Sequence, residues 1–596
     1  MIPRFLSAGI PALFSLLPGQ NSRKGGEAMH NQEIAWALTE MADLMEILGE
    51  NPFKVRAYRK GARIVEGIET PVKTLSERGQ LAKIDGIGKG LCAEIDEMME
   101  DGASRQLQNL REKVPPEVLD MLRLPGVGIR AVRTFFSNGY TTLDELEEGA
   151  RKHKLRLLPG IAAKTEVAVI RGVEMLRRRS GKFGIGVARP MAEEFVRFLQ
   201  NLPEVHRVEI TGDLRRSQEV VEEIHLLSSS QEPDKILDLV EKHPAAVKLV
   251  DDGANFVRFQ LSFGLPVQVE VVDEAEFIAR WVETTGSYAH WSALQERGAK
   301  RGDGCSGDWQ RFITSQEAEI NFYRDLDLPW IPPELREEGS EVALAAQRKL
   351  PEVVQITDIR GDLHIHTHWS DGVSSLEEMI DAGRERGYEY MAITDHSQSL
   401  SVARGLSETR LREQRQAIRN LSHRDKNFTV FSGIEMDILP DARLDFPDEM
   451  LQETDLVIAS VHIGLRQERH KVHARLETAL KNPHVDIIGH PTGRLIGARE
   501  PYDVDMEWLL DLAAKTGTIL EINSSPDRLD LAAPYAKMAK ERGIMLSINT
   551  DSHDRAKLGD ISYGVNNARR AGLEPKDILN CHPLEEVKKI LAKPKG

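Results

Sequence analysis

The period of the apolar positions changes along the chain, and each change marks a different kind of structure. Residues 29–180 place apolar side chains at helical spacing between short glycine turns, which predicts a helical region. An internal repeat lies inside it: Ile84-Asp85-Gly86-Ile87-Gly88, Leu124-Pro125-Gly126-Val127-Gly128 and Leu158-Pro159-Gly160-Ile161-Ala162, each followed by a helical pattern. From 185 to 330 short apolar strands, Val208–Thr211, Phe256–Leu261 and Val267–Val272, alternate with helices. Residues 331–358 open on Pro332-Pro333 and carry an acidic helix, the pattern of a linker or a packing arm.

In residues 359–596 the strands carry a further regularity: each runs directly into a polar residue able to bind a metal. Tyr390–Thr394 leads to Asp395-His396, Phe428–Ile434 to Glu435 and Leu456–Val461 to His462. Val485–Gly489 leads to His490, Ile519–Ile522 to Asn523, and Ile544–Thr550 to Asp551 and His553. Helices such as Ser375–Arg386 and Tyr502–Lys515 separate them. Repeated strand–helix units imply a parallel sheet, and in barrels built this way the chemistry lies at the C-terminal strand ends. These side chains should therefore converge on one mouth.

At 596 residues the chain is too long for one core, so several domains are expected. Its three cysteines, Cys92, Cys305 and Cys581, form no CxxC and indicate neither a disulfide framework nor a cysteine zinc site, which fits a reducing cytoplasm. A net charge of −16 argues against polyanion binding by the whole surface but leaves room for local basic patches. No apolar stretch reaches membrane-spanning length. Residues 1–28 resemble a signal peptide only superficially, because Gly9, Pro11 and Pro18 break the apolar run; they are expected to be disordered or to precede the true start at Met29.

The strongest chemical signal is Asp362-Leu363-His364-Ile365-His366. Residues two apart in a strand face one side, so both imidazoles point into one site. Asp371 follows in a Ser-Asp-Gly turn. With His396, Glu435, His462, His490, Asp551 and His553 these make nine candidate ligands, a mixture of imidazole and carboxylate that suits zinc, manganese or iron. His368, His470, His473, His484 and His582 lie outside the pattern. Arg404, Arg494 and Arg528 are candidates for phosphate contact, because a guanidinium matches phosphate geometry.

Residues 359–580 resemble a PHP (polymerase and histidinol phosphatase) domain. The matching pieces are Asp362–Gly372, Ile393–Ser397, Gly433–Ile438, Ala459–His462, Gly489–Arg494, Glu521–Asp530 and Asn549–His553. The resemblance implies a distorted barrel of seven strand–helix units holding three metals. It assigns His364, His366, Glu435 and Asp551 to one metal, bridging Glu435 with His462 and His490 to the second, and Asp371, His396 and His553 to the third. Neighbouring cations lower the pKa of a shared water and neutralise charge developing on a phosphate.

The glycine turns look like helix-hairpin-helix motifs, which bind phosphates through backbone N–H groups at a helix start and so ignore sequence. The residues so implied are Gly86, Gly88 and Lys89, then Gly126, Gly128 and Arg130, then Gly160. The third copy has Ala162 at its second glycine and could be structural only. Arg151, Lys152, Lys154, Arg156 and Arg177–Arg179 could add contacts.

Together with Glu46–Arg63 and the α/β region, these motifs resemble a bacterial family X DNA polymerase from Met29 to the C-terminus. The resemblance implies a helical helix-hairpin-helix domain at 29–182, a nucleotidyltransferase-like palm with its nucleotide pocket at 183–330, a linker at 331–358 and the PHP domain at 359–596. Family members fill short gaps, and their PHP domain is a manganese-dependent 3′–5′ exonuclease. This chain departs from the family at the palm. Gly212-Asp213-Leu214-Arg215-Arg216-Ser217 keeps the arginines, but Asp213 replaces the serine that meets the triphosphate. The paired aspartates are Glu223 and His225, and the third is Glu270. Glutamate and histidine disturb an octahedral magnesium site, so magnesium is not expected there. Glu283-Thr284 replaces Tyr-Phe before Thr285-Gly286-Ser287, Trp291 stands for an asparagine, and Glu94 falls where eukaryotic relatives have their lyase lysine.

The expectation is a bacterial repair nuclease, cytoplasmic and nucleoid-associated, monomeric, acting on gapped or 3′-ended duplex DNA with three divalent ions (manganese or zinc, iron remaining open). A working gap-filling polymerase, a small-molecule phosphatase and a non-enzymatic end-binding scaffold stay open as alternatives.

Overall fold

The computed structural model describes residues 31–592 apart from 67, 69–71, 85, 102–103, 125, 179–180, 244, 262–263, 302–313 and 423–427. The expectations for residues 1–28, Met29 and Cys305 lie outside these residues. Cys92 and Cys581 are both free. Among the described residues no helix is long and apolar enough to cross a membrane. The chain divides into two compact units, Met1–Phe183 with Asp234–Val269, and Gly184–Pro233 with Glu270–Gly596. The segment read as one palm, 183–330, therefore contributes to both.

In the first unit the helices Asn31–Leu48 and Pro52–Glu66 pack through Ile34, Leu38, Met41, Val55 and Val65. The three repeats share one local geometry. A 3-10 turn (Leu81–Lys83, Met121–Arg123, Leu155–Leu157) runs into a tight turn closed by a backbone bond, Ile87 N to Ile84 O at 3.1 Å, Val127 N to Leu124 O at 3.0 Å and Ile161 N to Leu158 O at 3.2 Å. The turn needs a positive φ at its third position, supplied by Gly86, Gly126 and Gly160 at 96°, 81° and 76°. Ile87, Val127 and Ile161 then enter the core, and a helix starts at Lys89, Ile129 and Ala163.

In the second unit Arg207–Thr211 pairs antiparallel with Ile224–Ser229, and the helices Ile185–Gln200 and Glu274–Thr285 pack on the pair. Residues 331–358 are not a linker but a packed arm. Arg336 is fully buried and donates to Glu319 at 2.7 Å, while Glu334 receives Arg569 at 2.9 and 3.1 Å. Glu334 and Glu337 of this arm meet the buried Arg569 and Arg216, both distant in sequence.

The rest of this unit is a seven-stranded parallel sheet in simple sequence order: Gly361–Asp362, Tyr390–Ile393, Thr429–Asp437, Leu456–Ser460, Ile487–Ile488, Ile519–Asn523 and Leu546–Asn549. His366 N donates to Ser552 O at 2.8 Å and a bridge joins Ile365 to Ser552, which nearly closes the barrel. Neighbouring residues of the five strands from Tyr390–Ile393 to Ile519–Asn523 enter two different apolar clusters, so these strands are apolar on both faces. One cluster takes Met391, Ile393, Ile434, Val457 and Ala459. The other takes Tyr390, Ala392, Phe431, Leu456 and Ile458, with Val587 from the last helix. Reading the second face by twos gives Tyr390-Ala392-Thr394-His396, Phe431-Gly433-Glu435-Asp437 and Leu456-Ile458-Ser460-His462. One face is thus an apolar plug at its base and polar ligand chemistry at its top.

Candidate metal centre and the palm residues

Glu435 lies at the centre of the imidazoles. Its Oε2 is 3.5 Å from His364 Nε2, 3.5 Å from His366 Nε2 and 2.8 Å from His396 Nδ1. Its Oε1 is 3.1 Å from His462 Nε2 and 3.0 Å from His490 Nε2. Asp551 Oδ1 sits 3.0 Å from His366 Nε2 and 3.6 Å from His364 Nε2. Asp371 Oδ1 sits 3.5 Å from His396 Nε2 and 3.3 Å from His553 Nε2. All nine expected residues therefore meet at one mouth. Three sets bring ligand atoms within 4.8 Å of one another: His366, Asp371, His396 and His553; His364, His366 and Asp551; and His396, Glu435 and His462. These sets overlap the expected grouping without reproducing it, since His366 and His396 each belong to two and His490 to none. Glu435 also lies within the strand Thr429–Asp437 rather than after it.

The donor set fits divalent cations. The buried atoms His364 Nε2, His366 Nε2, His396 Nδ1 and Glu435 Oε2 have no hydrogen-bond partner, and orphaned lone pairs aimed into one shared space are costly unless something positive sits there. The backbone contributes too: His490 and Asp551 carry positive φ of 29° and 55°, a strain held by the surrounding fold.

A second ring of carboxylates, missed in the sequence, orients the first. Glu521 Oε1 is 2.7 Å from His364 Nδ1, and Asp437 Oδ1 is 3.2 Å from His462 Nδ1. Both leave Nε2 facing the centre. The sequence signal was the spacing Glu435-x-Asp437 and Glu521-x-Asn523, which puts each pair on one strand face. Asp395 anchors the ligand-bearing turn by accepting from Thr367 N at 2.8 Å, Thr367 Oγ1 at 2.6 Å and Ser370 N at 3.2 Å.

Burial disfavours charge throughout the cluster, and the neighbours decide each outcome. At His364 burial is outweighed by Glu521, Glu435 and Asp551, which hold the ring well above the usual histidine range. At His462 burial is outweighed by Glu435 and Asp437, which raise it to about 10. His366 is pushed down to about 4 by burial and by His553 and His396. The imidazoles hold Glu435 and Asp551 well below the carboxylate range against the effect of burial.

The three arginines part company. Arg528 reaches the cluster, its Nε 3.6 Å from Asp551 Oδ2 and its buried Nη1 without a partner. Arg404 is exposed at the rim and donates to His368 O at 3.3 Å. Arg494 does not face the cluster with a free edge. Its Nε donates to Arg528 O at 2.8 Å, and its other two nitrogens go to Leu529 O at 2.6 Å and to Glu219 at 3.1 and 2.5 Å. The expectation of a phosphate contact there is corrected, because its donors are spent within the fold. Of the histidines set aside, His473 stacks on Trp508 at 3.9 Å and His470 is exposed.

At the palm, Glu270 and His225 meet each other instead of an open space: His225 Nε2 is 3.3 Å from Glu270, and Arg280 grips Glu270 at 2.8 and 3.2 Å. Glu223 is half-buried immediately before the strand Ile224–Ser229. Arg216 is bound by Asp213, by Glu337 at 3.0 Å and by Thr285 O at 2.6 Å. Arg215 is committed to Glu319 at 2.8 Å by both its terminal nitrogens.

In the helical unit Gly88, Lys89, Gly126, Gly128, Arg130 and Gly160 are all exposed. A Cβ on Gly88 or Gly128 would meet nothing within 4 Å. Arg151, Lys152 and Arg156 pair with Glu147, Glu148 and Glu166; the side chains of 177–179 lie outside the described residues. Glu94 is buried, receiving Ser104 and, at 3.3 Å, the Tyr58 hydroxyl.

This parallel barrel with its histidine-ringed mouth is a PHP domain, and residues 362–525 match the PHP domain model. Residues 29–104 match a helix-hairpin-helix domain and residues 118–174 a SAM-like helix-hairpin-helix tandem. The chain is 37% identical over 571 residues to the DNA polymerase/3′-5′ exonuclease PolX of Bacillus subtilis, covering 94% of this chain and 99% of that one. It belongs to the bacterial PolX family of family X DNA polymerases. Its barrel region is also similar to two proteins named "probable phosphatase", from Thermoanaerobacter pseudethanolicus (26% identical over 230 residues, 37% of this chain and 89% of that one) and Shewanella halifaxensis (28% over 235 residues, 37% and 88%).

Proposed function

We propose that this chain is a DNA-repair phosphodiesterase that removes nucleotides from 3′ ends with its PHP barrel, while its palm no longer synthesises DNA. The observation that carries the reading is the convergence of the nine ligand side chains around Glu435, with His364 Nε2, His366 Nε2 and His396 Nδ1 unpartnered. The residues to hold divalent cations are His364, His366, Asp371, His396, Glu435, His462, His490, Asp551 and His553. Three ions, manganese or zinc with iron also compatible, match their number and chemistry. Bound there, the cations supply Lewis acidity toward the phosphate and an activated water. Glu521 and Asp437 keep the imidazole tautomers fixed. Arg528, close to Asp551 and with an unspent donor, is placed to bind a phosphate oxygen, and Arg404 guards the rim.

The helix-hairpin-helix turns of residues 29–182 would hold the DNA backbone, with Gly88 and Gly128 giving close approach and Lys89 and Arg130 adding charge. The palm reading rests on charge already satisfied. A triphosphate would have to displace Asp213 and Glu337 from Arg216, and a cation would have to displace Arg280 and His225 from Glu270. Localisation at the nucleoid and a monomeric state complete the proposal.

The test is a gapped, end-labelled duplex incubated with manganese, with and without nucleotides. Shortening from the 3′ end in both lanes is expected. Lengthening that Glu223→Ala abolishes would replace this reading with a working polymerase. Phosphate release from histidinol phosphate with no DNA cleavage would favour the small-molecule phosphatase suggested by the barrel's relatives.

A further inference from the structure

Building on the exonuclease reading, we propose that Glu219 of the palm is a positioning residue for the barrel's cleavage site, acting through Arg494 on the segment that carries Arg528. The Glu219 carboxylate takes two donors from Arg494, Nη1 at 3.1 Å and Nη2 at 2.5 Å. The adjacent edge of the same guanidinium, Nε and the shared Nη2, holds two successive carbonyls, Arg528 O at 2.8 Å and Leu529 O at 2.6 Å. A planar fork gripped along two edges has one orientation, so Glu219 fixes the backbone of residues 528 and 529 through it. Glu219 is itself anchored, its carbonyl accepting from Ile185 N at 3.0 Å.

A second contact, independent of charge, bears on the same segment. A Cβ on Gly186 would fall 2.8 Å from Pro526 Cβ, so the palm helix Ile185–Gln200 presses its bare backbone against residue 526. The braced segment is strained: Leu529 has a φ of 43°, a region that a leucine occupies only when its surroundings impose it. From this segment Arg528 turns back to within 3.6 Å of Asp551, its Nη1 buried and unpartnered. Misplacement of a catalytic group by about 1 Å costs roughly 100-fold in rate. The palm thus has a role apart from synthesis that explains its packing: it is the support on which the arginine of the cleavage site rests.

The experiment uses the full chain, manganese and a 3′-labelled duplex. Glu219→Ala is expected to lower kcat roughly tenfold or more with little change in KM, and Glu219→Gln, which keeps an acceptor oxygen, to recover part of the loss. Gly186→Val, which displaces Pro526 and leaves Arg494 untouched, should lower kcat in the same way. In an Arg528→Ala background Glu219→Ala should cost nothing further. Calorimetric titration with dAMP, which needs no turnover, should show weaker binding to Glu219→Ala than to the wild type and equal binding in the two Arg528→Ala backgrounds. Wild-type kcat and dAMP affinity in Glu219→Ala, or an undiminished penalty in the Arg528→Ala background, would overturn the proposal. A wild-type chain that cuts no DNA would instead overturn the functional reading on which it rests.

Discussion

Glu521 Oε1 stands 2.7 Å from His364 Nδ1, and this pair decides which nitrogen the ring turns toward the centre of the barrel. The carboxylate accepts a hydrogen bond from Nδ1–H, so that in the neutral ring Nε2 carries the lone pair. Glu521→Gln is therefore expected to weaken metal binding roughly 10–100-fold while the barrel stays folded. Competition with a chelator of known affinity measures the loss, and unchanged affinity would show that the pair is only structural.

Loading the site should expel protons. With no cation present, His364 lies well above its ordinary range, His462 is raised to about 10 and His553 is also raised. His364 and His462 are therefore charged at neutral pH, and a cation needs them neutral. Metal affinity should then climb with pH until about 10. The sign for the metal-free fold is the reverse: the stabilisation from the raised histidines is full below their unfolded pKa and is lost as pH rises through the folded value. Calorimetry in buffers of different ionisation enthalpy reads the released protons; heats independent of the buffer would rule this out.

At the palm, Arg280→Ala or Glu223→Ala should leave 3′ cleavage within about twofold, since surface and half-buried changes remote from a site usually act weakly. Neither should create nucleotide incorporation. A primer-extension gel with manganese decides it.

Glu319 is fully buried between Arg215 and Arg336. Burial disfavours its charge, but the two guanidinium groups outweigh that and hold it far below the carboxylate range. Glu319→Gln leaves both arginines uncompensated and should cost on the order of 3–5 kcal/mol. The stabilisation is present above the unfolded carboxylate pKa and disappears only as pH falls through the depressed folded value. Denaturant titrations should thus show a constant deficit from neutrality to about pH 5, shrinking in stronger acid.

Gly128 has an ordinary φ of −92° and open space where a Cβ would stand. Nothing among the described residues requires a glycine there, as expected if its use lies in what approaches from outside. Gly128→Val should leave the melting temperature nearly unchanged and weaken duplex binding severalfold, as read by fluorescence anisotropy. Gly126→Val, at a φ of 81°, should destabilise the fold instead.

The barrel was legible in the sequence because its signal repeats: an apolar strand with a ligand at its end, strand after strand. The spacing rule that put His364 and His366 together also underlies Leu456-Ile458-Ser460-His462. Local patterns failed where the partner is remote. Arg494 read as a phosphate contact because its partner Glu219 lies 275 residues away, and residues 331–358 stayed open between a linker and a packing arm because Glu334 and Arg336 meet Arg569 and Glu319 only in three dimensions. Glu521 was hidden within a strand that looked merely apolar.

The clasp of Arg280 and His225 on Glu270 also has a consequence for single substitutions. Removing Arg280 alone leaves His225 against the carboxylate, and removing His225 alone leaves the guanidinium in place. One change therefore does not clear Glu270 for a divalent ion.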